Sequence, residues 1–256
     1  RLLNEALDNG VNTFLDKTMA LDLFYKDHKV TGIKVKLGTG EKRELKSRLV
    51  IDASGLNSRI RKSTKNSFIE NNFDDKDAIL CFREIITFPK RDQEVMDQEY
   101  ISIILDQEKA PGGYIWYFPK NDHSVNLGIG VHMHYGGKVK DFYKTNVFSE
   151  FIKTDAIDIQ SSGGGVAPVR RPSWSCLDNG IMFVGDAAYQ VNPLHGGGID
   201  SSMRAGYYAA ETAVQAIKGD DFSLSSLWDY NLKIMQGIGA EFASLDLLRR
   251  VLQSLS

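Results

Sequence analysis

Residues 183–199 read FVGDAAYQVNPLHGGGI, and this stretch decides the fold class. Ile181 to Val184 form a short, wholly apolar run, which is typical of a buried strand in the middle of a parallel sheet. An acid, Asp186, follows this strand, and three glycines precede a helix predicted from Ile199 to Lys218. The segment therefore predicts an α/β fold.

The same segment predicts a ligand site. Open α/β sheets bind ligands beyond the carboxyl ends of their strands, and the free N–H groups at the start of a helix favour negative charge. The glycines at 196–198 let the backbone approach a flat or anionic group closely. Asp186 would repel phosphate, so we expect it to accept hydrogen bonds from sugar-type hydroxyl groups. The alternative is a flexible glycine loop in which Asp186 is only a cap.

The rest of the chain divides into outer α/β parts and a middle part of long strands. Val50 to Asp52 form a second apolar run that ends in an acid. Residues 65–77 are polar, and Ser161 to Gly165 are rich in glycine, so we expect the chain to cross between domains in both places. An inserted antiparallel sheet leaves a cleft for a ligand beside the α/β domain. The predicted divisions are an α/β domain of residues 1–76 and 163–219, a sheet domain of residues 77–162, and the start of a helical region at residues 220–256.

An aromatic strand lies within the predicted sheet domain. In residues 111–119, PGGYIWYFP, alternate side chains share one face, so Tyr114, Trp116 and Phe118 form one wall. If even-numbered residues pair with even-numbered residues of the next strand, Gly128 and Gly130 lie beside this wall and leave a trough for a flat ring or a long apolar chain. An odd register would place them on the opposite face, and the sequence does not choose between the two. A packed aromatic core remains the alternative.

The composition excludes several classes of protein. Lys and Arg number 31 against 33 Asp and Glu, so the basic excess of a nucleic-acid binder is missing. No apolar run approaches the roughly 18 residues of a membrane-spanning helix. The two cysteines, Cys81 and Cys176, fit a reducing compartment, which predicts a cytoplasmic location. His132 and His134 share a strand face, but no third ligand accompanies them, so we expect no metal site.

Both ends of the sequence resemble interrupted helices. The chain begins with Arg rather than Met, and residues 1–10 read as the last turns of a helix that stops at Gly10. An apolar stripe at helical spacing begins at Ile238 and runs into the last residue without a stop signal. We therefore expect further sequence on both sides.

The motifs together resemble the geranylgeranyl reductase family. They are the VIDASG segment at 50–55, the aromatic segment at 111–119, and the Gly185-Asp186 segment with the glycines at 196–198, and they occur in the order found in that family. The resemblance implies an FAD-binding domain of the aromatic-hydroxylase-like flavoprotein fold, formed by residues 1–76 and 163–219, with an inserted antiparallel-sheet substrate domain at 77–162. The family's GxGxxG fingerprint is absent, and we expect it in sequence before residue 1.

The resemblance also implies roles for individual residues. Asp186 would bind the ribityl or neighbouring part of FAD, and Tyr114, Trp116 and Phe118 would line a lipid tunnel. His195 would lie close to the flavin as a candidate proton donor, although a loop histidine without a partner is often only solvent-facing. The remaining positions that the resemblance assigns to FAD binding are Ala20, Gly55, Pro193, Gly197, Gly198 and Ile199.

The implied activity is the saturation of C=C bonds in geranylgeranyl chains, as found in archaeal-type membrane ether lipids. It requires FAD and a reductant such as NAD(P)H or ferredoxin, and it is compatible with peripheral membrane contact. One alternative is an aromatic-ring monooxygenase or an electron-transfer flavoprotein of the same fold. The other alternative is a non-catalytic lipid-binding module that uses the same apolar trough.

Overall fold

A computed structural model describes residues 2–88, 99–135, 138–153 and 157–254. Seven α-helices and eleven strands lie within these ranges, together with short 3-10 and π-helical turns. The helices are α1 (Leu2–Asp8), α2 (Arg59–Lys62), α3 (Val139–Phe142), α4 (Ser149–Phe151), α5 (Ile199–Gly219), α6 (Leu224–Ile234) and α7 (Ala240–Ser254). The strands are β1 (Met19–Lys26), β2 (Lys29–Lys36), β3 (Lys42–Lys46), β4 (Val50–Asp52), β5 (Ala78–Thr87), β6 (Ser102–Ile104), β7 (Tyr114–Asn121), β8 (Ser124–His132), β9 (Asp158–Pro168), β10 (Leu177–Asp178) and β11 (Ile181–Phe183).

The middle of the chain forms a five-stranded sheet in the order β6-β7-β8-β5-β9, and each pair of neighbours is antiparallel. Ile115 and Tyr117 of β7 point to one face, where they are buried with the odd-numbered residues of β8. The continuous helical segment from Val139 to Phe151, which includes a π-helical stretch, covers this face through Tyr143 and Val147. The opposite face carries Tyr114, Trp116 and Phe118, as the period-two pattern predicted.

The register of the β7–β8 hairpin is the even one. Tyr114 pairs with Gly130, Trp116 with Gly128, and Phe118 with Asn126. The indole of Trp116 lies directly over Gly128, because a Cβ atom at Gly128 would be 2.2 Å from Cζ2 of the indole. This glycine therefore makes room for the ring, whereas a Cβ atom at Gly130 would lie 3.0 Å from Cγ2 of Ile79.

The segment predicted to cross between domains at Ser161 to Gly165 is part of a strand rather than a loop. Ser161 to Gly165 lie inside β9, where they pair with β5 through Cys81↔Gly165 and Arg83↔Gly163. Glycine is disfavoured in strands on intrinsic grounds. Here a complete ladder of backbone pairs with β5 outweighs that preference. The predicted boundary between residues 162 and 163 consequently cuts through a strand of the sheet.

A small second sheet has the order β10-β11-β4, and β11 and β4 are parallel. Phe183 pairs with Asp52, and the N–H of Val184 donates to the carbonyl of Asp52 at 2.9 Å. The two apolar runs identified in the sequence are thus parallel neighbours in one sheet. Their carboxyl ends, followed by Gly55 and Asp186, meet at one edge of the sheet.

The second hydrophobic core lies between this sheet, the antiparallel β1-β2-β3 sheet, and helices α5 and α6. Helix α5 has small side chains toward the core, namely Ala205, Ala209 and Ala216. Its larger apolar residues Ile199 and Met203 are exposed instead. Among the described helices, none is long and apolar enough to cross a membrane.

We predict that Gly128→Ala destabilises the fold. The added methyl group would overlap the Trp116 indole and would lie 2.8 Å from the Cβ of Arg83. Overpacking of this kind costs about 1–3 kcal/mol, so thermal unfolding should show a Tm lower by roughly 3–10 °C. The matched control is Gly165→Ala in the same sheet, where no heavy atom lies within 4 Å of the added group. Equal Tm changes in the two variants would contradict the packing described for Trp116.

Candidate functional site

A cavity of about 680 Å³ separates the aromatic face of the five-stranded sheet from the loop that precedes α5. The sheet contributes the aromatic wall, and the loop contributes Pro193 to Gly196. A third side is formed by Arg249, Leu252 and Gln253 of α7. Other residues that line the cavity are Ile79, Cys81, Leu105, Gln107, Gly112, Gly113, Asn126, Gly130, Ala167 and Val169.

The aromatic wall is held by contacts between its own members. The ring centroids of Tyr114 and Trp116 lie 5.9 Å apart, and those of Trp116 and Phe118 lie 6.3 Å apart. The indole Nε1 of Trp116 donates to Oδ1 of Asn126 at 3.2 Å, which satisfies the one polar atom of the ring. The wall therefore presents a nearly continuous apolar surface to the cavity.

The floor of the cavity is formed by β5 and β8. Cys81 and Ile79 lie beside Gly130, since a Cβ atom at Gly130 would be 3.8 Å from Sγ and 3.0 Å from Cγ2, respectively. Burial raises the pKa of the Cys81 thiol to about 11, so the sulfur is protonated and uncharged at neutral pH. The floor thus matches the wall in being apolar.

A short hydrogen bond ties the loop opposite the sheet to the aromatic wall. The hydroxyl of Tyr114 donates to the carbonyl oxygen of His195 at 2.6 Å. The ring of His195 is fixed in turn, because its Nδ1 accepts from the N–H of Gly197 at 3.1 Å. That bond leaves the hydrogen of a neutral imidazole on Nε2. His195 is exposed and lines the cavity, so its Nε2 is available to a ligand there.

The start of helix α5 lies next to Asp186. Gly198 occupies the position that caps the helix, and no side chain there satisfies the first N–H groups. A Cβ atom at Gly198 would be 3.4 Å from Oδ1 of Asp186 and 3.2 Å from Cγ2 of Val191, so the backbone approaches the acid closely. Burial raises the pKa of Asp186, and a hydrogen bond from its own backbone N–H opposes that shift more weakly. The site therefore combines uncapped N–H donors with a carboxylate close beside them.

A buried arginine joins this loop to the loop that follows β4. Arg61 is 1% exposed, and its guanidinium donates to the carbonyl of Ala187 at 2.7 Å and to the carbonyl of Leu56 at 2.8 Å. Asp52 organises the second loop by accepting hydrogen bonds from the N–H of Ser54 at 2.9 Å and from the hydroxyl of Ser58. Gly55, with a φ of +84°, makes the turn that this loop requires.

Most of the predicted site residues are thus brought to one region. Tyr114, Trp116, Phe118, Pro193 and His195 line the cavity, and Gly197, Gly198, Ile199 and Asp186 continue along the same loop and helix start. The Gly55 loop is linked to them through Arg61. Ala20 lies apart from the cavity, in β1, where it packs against the second core.

The sequence reasoning missed several residues of this region. Arg61 was the most informative omission, because α2 reads RIRK and nothing in that sequence marks which of its basic side chains is buried. The contribution of α7 to the cavity carried no local signal. Within the described residues, no group of three or more His, Cys, Asp or Glu side chains is arranged to hold a metal ion.

Comparison with known proteins decides the family. Residues 77–166 match the family described as geranylgeranyl reductase catalytic domain. Over 259 aligned residues the chain is 37% identical to the digeranylgeranylglycerophospholipid reductase of Sulfolobus acidocaldarius, an alignment that covers 100% of this chain and 56% of that protein. The chain belongs to the geranylgeranyl reductase family.

Further relatives agree with this family assignment. Digeranylgeranylglycerophospholipid reductase 2 of Methanococcoides burtonii is 36% identical over 94% of this chain and 56% of its own length. The chain spans about half the length of the curated relatives it matches. A protein described as geranylgeranyl bacteriochlorophyll reductase-like, from Thermoplasma acidophilum, superposes with a TM-score of 0.83 at 24% identity, covering 93% of this chain and 58% of that one.

More distant structures share the fold. A flavin-dependent brominase superposes with a TM-score of 0.65 at 19% identity, covering 89% of this chain and 56% of the brominase. A probable FAD-dependent monooxygenase from Pseudomonas aeruginosa has a TM-score of 0.65 at 14% identity, covering 99% of this chain and 68% of that one. These similarities confirm the predicted fold class, an α/β flavoprotein fold with an inserted antiparallel sheet. At these identities the similarity concerns the fold and not the reaction.

We predict that Tyr114→Phe loosens the loop opposite the sheet. The variant removes the donor to the His195 carbonyl but keeps the aromatic ring in the wall. Loss of one hydrogen bond of about 0.5–1.5 kcal/mol should speed amide exchange in residues 191–199 by roughly two- to twelvefold, as measured by hydrogen–deuterium exchange. Tyr100→Phe, which alters a side chain that is exposed, is the control. Unchanged exchange in Tyr114→Phe would show that the loop is held by other contacts.

Proposed function

We propose that this chain is the greater part of an FAD-dependent reductase that saturates C=C bonds of geranylgeranyl chains in archaeal-type membrane ether lipids. The observation that carries the proposal is the cavity between the aromatic wall and the loop before α5. Its volume of about 680 Å³ lies within the range of about 300–1,000 Å³ typical of small-molecule sites. Its apolar wall and floor suit a hydrocarbon chain, and the names of the relatives supply the chemical identity of that chain.

The residues at the start of α5 fit FAD. The helix presents N–H groups without a side-chain cap, and the backbone at Gly198 comes so close to Asp186 that a larger side chain would fill the cradle. Asp186 offers a carboxylate acceptor to hydroxyl groups of the ribityl part, while Gly197, Gly198 and Ile199 offer backbone groups to the flavin ring. Ile199, the first residue of the helix, is 82% exposed, which leaves room for a ligand beside it.

FAD, when bound, supplies the hydride that reduces a C=C bond. The protein has three tasks in this proposal: it holds the isoprenoid chain, excludes water and provides a proton. Trp116, Phe118 and Tyr114 hold the chain against the loop. The Cys81 thiol is uncharged, and the indole nitrogen of Trp116 already has a hydrogen-bond partner in Asn126. Neither group therefore attracts water into the cavity. The uncapped N–H groups of α5 stabilise negative charge nearby.

His195 is the proton donor in this proposal. Its Nδ1 is occupied by the N–H of Gly197, so the proton of a neutral ring lies on Nε2. The residue lines the cavity on the side opposite the aromatic wall, between the chain and the predicted flavin position. The hydrogen bond from Tyr114 to the carbonyl oxygen of His195 fixes the backbone from which the imidazole side chain extends.

Several finer assignments belong to the same proposal. We propose that residues 1–76 and 163–219 contribute to the FAD-binding domain, that residues 77–162 form most of the substrate domain, and that residues 220–256 begin a helical region. Ala20 and Gly55 complete the FAD-binding set, with Gly55 supported by the Arg61 link and Ala20 by the family resemblance alone.

The reductant in this proposal is NAD(P)H or ferredoxin, and the proposed location is cytoplasmic. Leu105 and Leu252 are exposed at the cavity and support peripheral contact with a membrane.

A mass spectrum of lipid products tests the function directly. The full-length protein, with chemically reduced flavin and a geranylgeranyl lipid under anaerobic conditions, should give products heavier by two hydrogens for each reduced bond. Oxygen uptake coupled to a hydroxylated product would favour a monooxygenase instead. Absence of flavin absorbance from the purified full-length protein would favour the non-catalytic lipid-binding module.

We predict that Asp186→Asn weakens FAD binding and stabilises the flavin-free protein at pH 7. FAD affinity should fall about tenfold, as expected for one hydrogen bond to a charged acceptor. Burial raises the pKa of Asp186, so the folded state of the native protein binds its proton more tightly than the unfolded state does. The native protein therefore loses stability as pH rises through that raised pKa, and the advantage of Asp186→Asn shrinks as pH falls.

Two measurements check this prediction. Flavin titration gives the FAD affinity, and thermal unfolding of the flavin-free protein between pH 3 and pH 8 gives the stability difference. Asp27→Asn, in the exposed turn between β1 and β2, is the control for loss of a carboxylate. A stability gain that grows as pH falls would have the wrong sign.

We predict that His195→Gln slows reduction about 100-fold without a comparable change in binding. A positioned general acid contributes about 10²–10⁴ to a rate, whereas glutamine can donate a hydrogen bond but supplies no proton. The measurement is a single turnover with chemically reduced flavin, with the product followed by mass spectrometry. His123→Gln, in the exposed turn between β7 and β8, is the control. A native rate in His195→Gln would assign the proton to another group or to water.

A further inference from the structure

A second cavity of about 340 Å³ adjoins the apolar one. Gly112, Arg249 and Gln253 line both cavities, so the two are continuous at these residues. The second cavity differs in character, because charged and polar side chains replace the aromatic wall. Among them are Lys76, Asp77, His132 and Arg250.

Arg249 stands at the junction and has every donor engaged. Its Nη2 donates to Oδ1 of Asp77 at 2.8 Å and to Oδ1 of Asp246 at 2.6 Å, and its Nε donates to the latter atom at 3.1 Å. Its Nη1 donates to the carbonyl of Lys76 at 2.6 Å and to Oε1 of Gln253 at 2.8 Å. The five N–H groups of the guanidinium are thereby used. Arg249 shapes the junction and leaves no donor for a ligand.

Arg250 reaches the same two carboxylates more loosely. Its Nη2 is 3.3 Å from Oδ1 of Asp77, and its Nε is 3.4 Å from Oδ2 of Asp246, which is longer than a normal N–H···O contact. The side chain is 57% exposed. Lys76, also on the cavity, is exposed and forms no ion pair within the described ranges. The two carboxylates are paired with the two arginines, and Lys76 is a further cation on the cavity lining.

His132 adds a buried acceptor to this cavity. It is 4% exposed, and its Nε2 lies 2.6 Å from the carbonyl oxygen of Lys76. Because a carbonyl can only accept, Nε2 carries the hydrogen and Nδ1 carries the lone pair. Nδ1 is buried and has no hydrogen-bond partner in the described part of the chain. A hydroxyl or protonated oxygen in the cavity would give this atom the donor it lacks.

We propose that the second cavity binds the phosphate group at the polar end of the isoprenoid lipid whose chain occupies the first cavity. The inference rests on the proposed function, and it deepens that function by naming the part of the substrate that gives orientation. Arg250 offers a planar, half-exposed guanidinium suited to phosphate oxygens, and Lys76 adds a second cation. The apolar and charged cavities meet at Arg249, so a lipid lying across both would match each part with its own kind of surface.

Three probes separate the contributions of tail and phosphate. Geranylgeranyl monophosphate carries both, geranylgeraniol carries the same tail with a neutral end, and inorganic phosphate carries the charge alone. Calorimetric titration of the FAD-loaded full-length protein gives the affinity for each. We expect the monophosphate to bind at least about tenfold more tightly than the alcohol, with inorganic phosphate weakly competitive against the monophosphate. The tenfold preference should fall as salt is raised.

Two variants place this preference at the second cavity. Arg250→Gln should lower the affinity for the monophosphate about tenfold, and the double variant with Lys76→Gln should make the monophosphate and the alcohol equal within about twofold. Affinity for geranylgeraniol should stay within about twofold in both. Lys34→Gln, in β2 and exposed, removes a cation elsewhere and should change nothing. Because Arg250 and Lys76 are exposed, circular dichroism with thermal unfolding suffices to verify that each variant folds.

The outcomes separate this inference from the proposed function. Equal affinities of monophosphate and alcohol in the native protein, or a preference that survives the double variant, would overturn the phosphate site even if both probes are reduced. Phosphate that binds without displacement by the monophosphate would overturn it as well, because the anion would then have a separate site. If the preference appears and is lost in the double variant while neither probe is reduced, the phosphate site stands and the proposed function fails.

Discussion

The hydrogen bond from Tyr114 to the carbonyl of His195 joins the two halves of the site. On one side is a sheet whose aromatic face is set by strict alternation along β7, and on the other is a loop whose shape is set by glycines and by Asn192. Within that loop the N–H of Gly196 donates to the carbonyl of Asn192 at 2.9 Å, and the N–H of Asn192 donates to the carbonyl of Gly197 at 3.0 Å. These hydrogen bonds fix the shape of the loop and its position relative to the sheet. Without such fixed positions the apolar surfaces of the sheet and the loop would close on one another and the cavity would be lost.

Local sequence patterns predicted a large share of this arrangement. The apolar run of β11, the acid after it and the glycines before α5 needed only the periodicity of strands and the chemistry of helix starts. The aromatic face of β7 followed from a period of two, but its register did not, since a shift of one residue preserves the pattern. The structure shows a contact that favours the observed register. The indole of Trp116 lies over Gly128, and any residue with a Cβ atom at that position would clash with the ring.

Contacts between distant parts of the chain could not be read in this way. Arg61 and Ala187 are 126 positions apart, and Arg249 lies 172 positions from Asp77, so no local pattern announces either pair. The glycines of β9 suggested a linker because glycine disfavours strands, yet the full ladder with β5 outweighs that preference. The buried side chains of α5 are small and several of its larger apolar ones are exposed, so hydrophobicity along the sequence does not mark its core face.

Helix α7 couples the shapes of the two cavities. It supplies Leu252 and Gln253 to the apolar cavity and Arg250 and Ser254 to the charged one, so a single helix walls both chambers along their length. Near the cavities, the ion pair of Arg249 with Asp77 joins this helix to the turn that precedes β5. A change in the position of this one helix would therefore reshape the apolar and the charged cavity together.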